Sequence, residues 1–328
     1  MQRAIALSEN ALGRTSPNPI VGAIIVGTDG SVIAEGFHDR IKSADHAEVV
    51  ALKIAGDKAR GATMYVTLEP CNHTGSTGPC TQAIIDAGIK SVVYAVADPN
   101  TVAAGGAATL KAAGIEVVAG VGADEATHSN RAWLTKIIKG RPFITWKVAA
   151  TLDGKVAAVD GTSKWITNEA SRADVQKVRR SVDAIMVGTQ TVIADDPHLV
   201  PRDGSAANNP LRIVCGTQEL PKGAHVFDDA APTKVIASKD LKVIASELLA
   251  TGVNHILLES GPTLATAMLQ AGMLDELMMY QGASVLGAGK SFVADLGVLT
   301  IQNAMSMQRI STETFGDDVK SVYRIAKV

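Results

Sequence analysis

Short apolar runs alternate with amphipathic stretches from Gly61 onward, and this alternation leaves few folds open to the chain. Runs such as TMYVTL, SVVYAVA, AIMVG, LRIVCG and NHILLES have strand length, and the segments between them space their apolar residues at helical intervals. Strand, helix and strand in repeated order predict a mostly parallel sheet covered by helices on both faces, the α/β class. Upstream, a helix is predicted over about 2–12, followed by a hairpin in which IVGAIIV and VIAEG flank the turn TDGS. Another helix starts near His46, with Gly56 placed to end it.

At 328 residues the chain is long for a single domain. A break falls near Gly140, where KIIKGRPFITW sets a basic helix end, a glycine and a proline before a new strand. Two α/β domains are therefore expected, 1–140 and 141–328. In the second, strands FITWKVAA, AIMVG, LRIVCG, TKVIAS and NHILLES accompany helices near EASRADVQKVRR, LKVIASELLATG and PTLATAMLQAG. The loop DDPHLVPRDGSAANNP interrupts them, and ELMMYQ and VYRIAKV close the sheet. Hydrophobic residues at 46% and charged residues at 20% supply a core for each half. A formal net charge of −2 argues against a surface built to neutralise nucleic-acid phosphates. The longest apolar runs fall far short of the ~20 residues that span a bilayer. Acidic and polar residues interrupt the apolar run at the N-terminus, so no cleaved signal peptide is expected and a cytoplasmic location follows.

The three cysteines are an odd number, which suits metal-binding or free thiols in a reducing compartment better than a disulfide framework. Two of them, Cys71 in EPC and Cys80 in GPC, follow His46 in HAE. A catalytic zinc takes three protein ligands and keeps one position for water, and one histidine with two thiolates meets that need. Helix starts at His46 and Cys80, with Cys71 just after a strand, bring the three to one end of a sheet. The bland alternative is a surface histidine with two small core cysteines. A purely structural zinc needs a fourth ligand, for which only His73 is near. Glu48, two positions after His46, is left to move protons, an arrangement that resembles the zinc nucleobase deaminases.

The eight residues between the cysteines, NHTGSTGP, set the chain apart from the short-spaced deaminases. SPNPIVGAIIV, HAEVVAL and TLEPCNHTGSTGPC together resemble the deaminase domain of the bacterial bifunctional riboflavin biosynthesis family. The resemblance implies a cytidine-deaminase-like α/β/α fold, zinc on His46, Cys71 and Cys80, Glu48 as proton carrier, and Asn18 and His73 at the pyrimidine. On its residues alone, Asn18 is equally a turn residue between two prolines, and His73 equally a solvated loop residue.

The second half has no G-x-G-x-x-G after a strand, which leaves a Rossmann site unsupported. ESGPTLA after a buried strand offers helix N-terminal amides to a phosphate, and VLGAGK offers a glycine loop, although both are also ordinary punctuation. KVAATLDGKVA, SKWIT, VGTQTVIADDPHL and ESGPTLA resemble the reductase domain of the same family, similar in fold to dihydrofolate reductase. The resemblance implies NADPH as hydride donor to a ribosyl group, with Ala149, Trp165, Thr191, Asp195 and the run Gly261, Pro262, Thr263, Leu264, Ala265, Thr266, Ala267 lining its site. It places Ser163, Arg179, Leu199, Arg202 and Glu259 at the substrate. Arginine forks suit a ribose phosphate, but Arg179, ending the basic run KVRR, also reads as a surface charge. Lys147 is an odd charge in an apolar strand; it either snorkels to the surface or lines the site and, with Glu259, delivers a proton. Asp153 reads as a turn residue, Cys215 as a core thiol, and Trp133 and Trp146 as structural.

The implied substrate is a small phosphorylated pyrimidine, without nucleic acid or membrane as partner, and the family resemblance implies a homodimer or larger assembly. The rival reading is an RNA or nucleotide deaminase of the same zinc superfamily with a binding or oligomerisation module behind it. The long cysteine spacing and the reductase-like segments speak against that rival.

Overall fold

The computed structural model describes residues 1–74, 78–202 and 209–325. Parts of three segments named above, 75–77 between the cysteines, 203–208 in the long loop and 326–328 of the closing strand, lie outside the described residues. The chain forms two compact units, Met1–Arg141 and Pro142–Val328.

The first unit runs α1 (Gln2–Ser8), β1 (Gly22–Val26), β2 (Val32–Phe37), α2 (Ala47–Ala55), β3 (Thr63–Leu68), α3 (Cys80–Asp86), β4 (Ser91–Val96), α4 (Gly106–Ala112), β5 (Glu116–Ala119), α5 (Ala123–Ser129) and α6 (Arg131–Lys139). Its sheet has the order β2-β1-β3-β4-β5, with β1 antiparallel to both neighbours and β3, β4 and β5 parallel. Alternation sends Ala23, Ile25, Met64, Val66, Val92 and Tyr94 into one core with α2, α3, α4 and α6. Ala95 packs on the other face with Ile5 of α1 and Ala126 of α5. Gly36 permits the close seat of α2 on β2, since a Cβ there would strike the Ala47 carbonyl oxygen and the Ala51 nitrogen. Gly56 ends α2 at φ +53°, in the left-handed region that its sequence position predicts.

The second unit runs β6 (Phe143–Thr151), β7 (Lys155–Ala157), α7 (Glu169–Arg180), β8 (Ala184–Gly188), α8 (Thr189–Asp195), β9 (Leu211–Cys215), β10 (Thr233–Ile236), α9 (Leu241–Ala250), β11 (His255–Leu258), α10 (Pro262–Gln270), β12 (Glu276–Gly282), β13 (Lys290–Ser291), β14 (Met307–Phe315) and β15 (Asp318–Ile325). The main sheet is ordered β10-β9-β8-β11-β6-β12-β15-β14; it is parallel from β10 to β12, then antiparallel through β15 and β14. β7 and β13 pair separately. Ile144, Trp146, Val148 and Ala150 of β6 point into a core with α9 and α10. On the opposite face Met278, Tyr280 and Val322 pack against Val175 of α7. Asn168 caps α7 by accepting the Ser171 backbone N–H at 2.9 Å, an N-cap bond that fixes where this helix begins. The sequence reading missed β14, because MQRISTETF is a largely exposed edge strand without a continuous apolar face. With helices on both faces of a mixed sheet in each unit, the α/β expectation holds.

Candidate active sites

His46 is the N-cap of α2, Cys71 lies just past β3, and Cys80 opens α3. These three elements bring His46 Nδ1 to 3.5 Å from Cys71 Sγ and 3.3 Å from Cys80 Sγ. Tetrahedral nitrogen and sulfur ligands of one zinc ion stand roughly 3.6 Å apart, so the donor set fits that metal. Among the described residues no other histidine, cysteine or carboxylate group joins three ligand atoms within 4.8 Å, and no fourth ligand completes this one. A closed structural site is thereby disfavoured, and a position for water remains. Cys71 Sγ also accepts the Cys80 backbone N–H at 3.4 Å. The hydrogen shared from the Cys80 thiol, with His46 beside it, holds the Cys71 thiol well below its usual range against the opposing effect of burial, while the same sharing pushes Cys80 up.

Glu48 stands in the first turn of α2 at 4% exposure. Burial raises its pKa, with His46 pulling the other way, so its carboxyl is suited to both taking and giving a proton. Glu48, Asn18 and His73 border one cleft of about 310 Å³ together with the metal ligands His46 and Cys71. His73 Nδ1 is buried there without a hydrogen-bond partner among the described residues, as expected of a group kept for a ligand.

Two residues of this cleft escaped the sequence reading. His38, just after β2, contacts the Asp45 carbonyl oxygen through Nδ1 at 2.9 Å and the Asn18 amide nitrogen through Nε2 at 3.2 Å. These partners select the tautomer with the proton on Nδ1, and burial lowers the pKa of the ring. Its ring meets His46 edge to face, 5.3 Å between centroids. A histidine closing a strand at the metal edge of the sheet was the available signal. Glu69 accepts the Asp98 N–H at 3.2 Å and the Ala107 N–H at 2.9 Å, fastening the Cys71 loop to the segments after β4 and at α4. Gly106 completes that seat, because a Cβ there would strike the Pro70 carbonyl oxygen. Trp133 packs in the core, as read, and also walls the cleft.

The second unit has a cleft of about 810 Å³ at the carboxyl ends of β8, β9, β10 and β11, where open parallel sheets bind ligands. Ala149, Ser163, Trp165, Thr191, Asp195, Glu259 and the segment Gly261, Pro262, Thr263 and Leu264 line it, as does Ala267. Ala265 and Thr266 turn inward; Ala265 is fully buried, and Thr266 Oγ1 accepts the Ala294 N–H at 2.9 Å. Lys147 lines the cleft and is partly exposed there; its desolvation lowers its pKa, opposed by Glu259. Arg179 does not line the cleft, and its guanidinium is engaged by Glu259. Leu199 sits at φ +51° and is buried with Val182, Ile185 and Val192 instead of lining the cleft. Arg202 is exposed on a turn, its N–H bonded to Gln176 Oε1 at 3.0 Å.

Asp153 does more than turn the chain. It accepts from Thr151 Oγ1 at 2.6 Å and from the backbone N–H groups of Leu286 and Gly287 at 3.2 and 2.7 Å, tying down the VLGAGK loop. The Thr151 bond and those amides hold its carboxyl near about 2. Cys215 is a buried thiol beside Met186, raised to about 12 by burial. Gly261 caps α10 without a side-chain bond and Pro262 follows, leaving first-turn N–H groups open to the cleft. A Cβ at Gly261 would stand 3.8 Å from the Lys290 ammonium. This bare, positively flanked helix start suits a phosphate of a dinucleotide. No helix among the described residues is long and apolar enough to cross a membrane.

Residues 1–96 match the family model for the cytidine and deoxycytidylate deaminase zinc-binding region, and residues 142–321 match that for the RibD C-terminal domain. The riboflavin biosynthesis protein RibD of Mycobacterium tuberculosis is 45% identical over 97% of this chain and 94% of its own length. Among solved structures, RibD of Acinetobacter baumannii superposes with a TM-score of 0.91 at 35% identity, covering 99% of this chain and 98% of that one. The diaminohydroxyphosphoribosylaminopyrimidine deaminase/5-amino-6-(5-phosphoribosylamino)uracil reductase of Thermotoga maritima gives 0.90 at 33%, covering 99% and 97%. A nucleotide or RNA deaminase with a mere binding module is not favoured, since the second half matches a reductase domain along nearly its whole length. Zinc and NADPH are the cofactors, and a small phosphorylated pyrimidine is the substrate. The chain belongs to the RibD family, the bifunctional deaminases and reductases of riboflavin biosynthesis.

Proposed function

We propose that residues 1–140 deaminate 2,5-diamino-6-(5-phosphoribosylamino)pyrimidin-4-one and that residues 141–328 reduce the ribosyl group of the product to ribityl. The observation that carries the first assignment is the convergence of His46, Cys71 and Cys80 beside the buried carboxyl of Glu48. Zinc held by those three supplies a Lewis acid that makes water nucleophilic near neutral pH. Glu48 takes a proton from the attacking water and passes it to the leaving amine. Asn18 and His73 hold the pyrimidine, and His38 orients the Asn18 amide from the side opposite Asp45.

In the second cleft, NADPH supplies hydride to C1′ of the ribosyl group. The open start of α10, with Ala149, Trp165, Thr191, Asp195, Ala267 and the segment from Gly261 to Leu264, holds the cofactor. Lys147 delivers a proton to the opening sugar, and the nearby Glu259 carboxylate favours the charged form of its ammonium against desolvation. Arg202 takes the ribose phosphate, and Ser163 faces the substrate. Arg179 acts through Glu259, and Leu199 shapes the loop that carries Arg202.

A net charge of −2 supports a protein that works without nucleic acid, and the short apolar runs support one that works in the cytoplasm without a membrane; the homodimer or larger assembly rests on the family resemblance alone. Ammonia release from the diaminopyrimidine ribotide, measured with and without NADPH, tests the assignment. Release is expected without NADPH, and NADPH oxidation is expected to follow it. Zinc-loaded protein that releases no ammonia overturns the reading.

A further inference from the structure

Three titratable side chains meet between α7 and the sheet, one from the helix and two from strands, and have no part in the reaction as described. Tyr280 of β12 is 1% exposed, and its hydroxyl donates to Asp174 Oδ2 at 2.7 Å. The same oxygen accepts from Lys320 Nζ of β15 at 2.6 Å. Burying a phenol, a carboxylate and an ammonium costs stability unless each is paired, and apolar groups like the neighbouring Val175, Met278 and Val322 would fill this face without that cost. The polar trio therefore calls for a use.

The strand registers supply one. Lys147 pairs with Met278 and Ala149 with Tyr280 across β6 and β12, which puts Lys147 and Tyr280 on one sheet face, two residues out of step. The Lys147 ammonium lies 6.0 Å from the centroid of the Tyr280 ring, within reach of a cation–π attraction. Lys320 stands 5.8 Å from the same ring but is neutralised by Asp174. Lys147 has no ion pair or hydrogen bond among the described residues; Glu259 and Arg179 act on it only at longer range. A half-buried four-carbon stem carrying an unbonded ammonium has many rotamers, and a fixed ring face limits them.

We propose that Tyr280, locked by Asp174 and Lys320, is a positioning residue for Lys147, its ring face holding the ammonium toward the reductase cleft. The proposal rests on the reading of Lys147 as proton donor. The groups facing Lys147 are then Glu259 and Arg179 on one side and Tyr280, backed by the Asp174–Lys320 pair, on the other.

The test uses zinc-loaded full-length protein supplied with the already deaminated intermediate, and compares wild type with Tyr280→Leu, Tyr280→Phe and Lys147→Ala. Tyr280→Leu is expected to lower reductase kcat about tenfold, to leave the Kd for NADPH within about twofold, and to spare deamination. It should also move the Lys147 limb of the pH–rate profile down by about half a pH unit, the shift that loss of a weak cation–π contact produces. Tyr280→Phe keeps the ring face but loses its bond to Asp174, so its limb should move less than that of Tyr280→Leu. A folded Tyr280→Leu protein with an unmoved limb overturns the proposal, because a merely structural tyrosine would cost stability without moving it. If Tyr280→Leu does not fold, a trifluorinated phenylalanine at position 280 keeps the shape and strips the ring face of charge; a limb unmoved relative to Tyr280→Phe overturns the proposal equally. Lys147→Ala separates the two readings: if it retains the limb, the role of Lys147 fails, and if it loses a limb that Tyr280→Leu leaves in place, only the role of Tyr280 fails.

Discussion

Arg179 meets Glu259 fork to fork, Nε to Oε1 at 2.8 Å and a terminal nitrogen to Oε2 at 2.6 Å, with each side chain 11% exposed. The pair joins α7 to the segment after β11 at the edge of the reductase cleft. Burial alone would raise the Glu259 carboxyl; Arg179, then Lys147 and Arg202, outweigh it and hold the group near about 2. A carboxyl depressed on folding contributes stability that is present above its unfolded value and lost as pH falls through the folded one. That window runs here from the ordinary glutamate range, about 4.5, down to about 2. Arg179→Ala leaves a buried carboxylate without its fork and should destabilise the protein by about 3 kcal/mol at pH 7. The difference from wild type should shrink toward pH 4, as the stranded carboxyl of the variant takes up a proton. Urea unfolding at both pH values checks this, and a pH-independent difference would contradict the assignment.

Glu48→Gln should keep zinc and lose deamination. Glu48 is buried beside the cluster without belonging to it, and glutamine fills nearly the same volume without accepting a proton. Ammonia release is expected to fall by about a hundredfold or more. Metal content, measured on the same sample, should stay at one zinc per chain. A variant that loses its zinc would make Glu48 a ligand or its structural support instead.

What was legible in the chain and what was not divide along physical lines. His46, Cys71 and Cys80 announce themselves because soft donors with fixed spacing have few other uses, and Gly56 and Gly261 because turns and helix starts are local. His38 and Glu69 stayed hidden, since each owes its place to partners far along the chain: Asn18 for the first, and the backbone of Asp98 and Ala107 for the second. Lys147 was ambiguous for a related reason, because a lysine in a strand reads the same whether its face meets water or a cleft. The edge strand β14 was invisible because exposure on one side and polar residues throughout erase the alternation that marks a half-buried strand.

Glu69→Ala should weaken zinc binding without touching a ligand. The carboxylate fastens the loop of Cys71 through two backbone N–H groups, and both would be left without their acceptor. Zinc affinity is expected to fall about tenfold, in the range found when supports of metal ligands are removed. Competition with a chelator of known affinity measures it. Reductase turnover on the deaminated intermediate should be unchanged; a parallel loss there would show a general folding defect.

Removing the metal separates the two chemistries. The ligands His46, Cys71 and Cys80 all lie within Met1–Arg141, and the lining of the larger cleft lies wholly within Pro142–Val328. Deamination needs a Lewis acid to make water nucleophilic, so a chelator should abolish ammonia release. Hydride transfer to a sugar needs positioning and charge balance, which Lys147, Glu259 and the start of α10 supply without a metal. Chelated protein should therefore still oxidise NADPH when given the deaminated intermediate, at a rate within about twofold of the zinc-loaded form. Lys147→Ala combined with Glu259→Ala should show the reverse, releasing ammonia and leaving NADPH untouched. Metal loss also removes binding free energy from the fold of the first unit, so circular dichroism must show that the chelated chain is still folded. A folded, metal-free protein that cannot oxidise NADPH with the deaminated intermediate would refute the assignment of the two activities to separate sites.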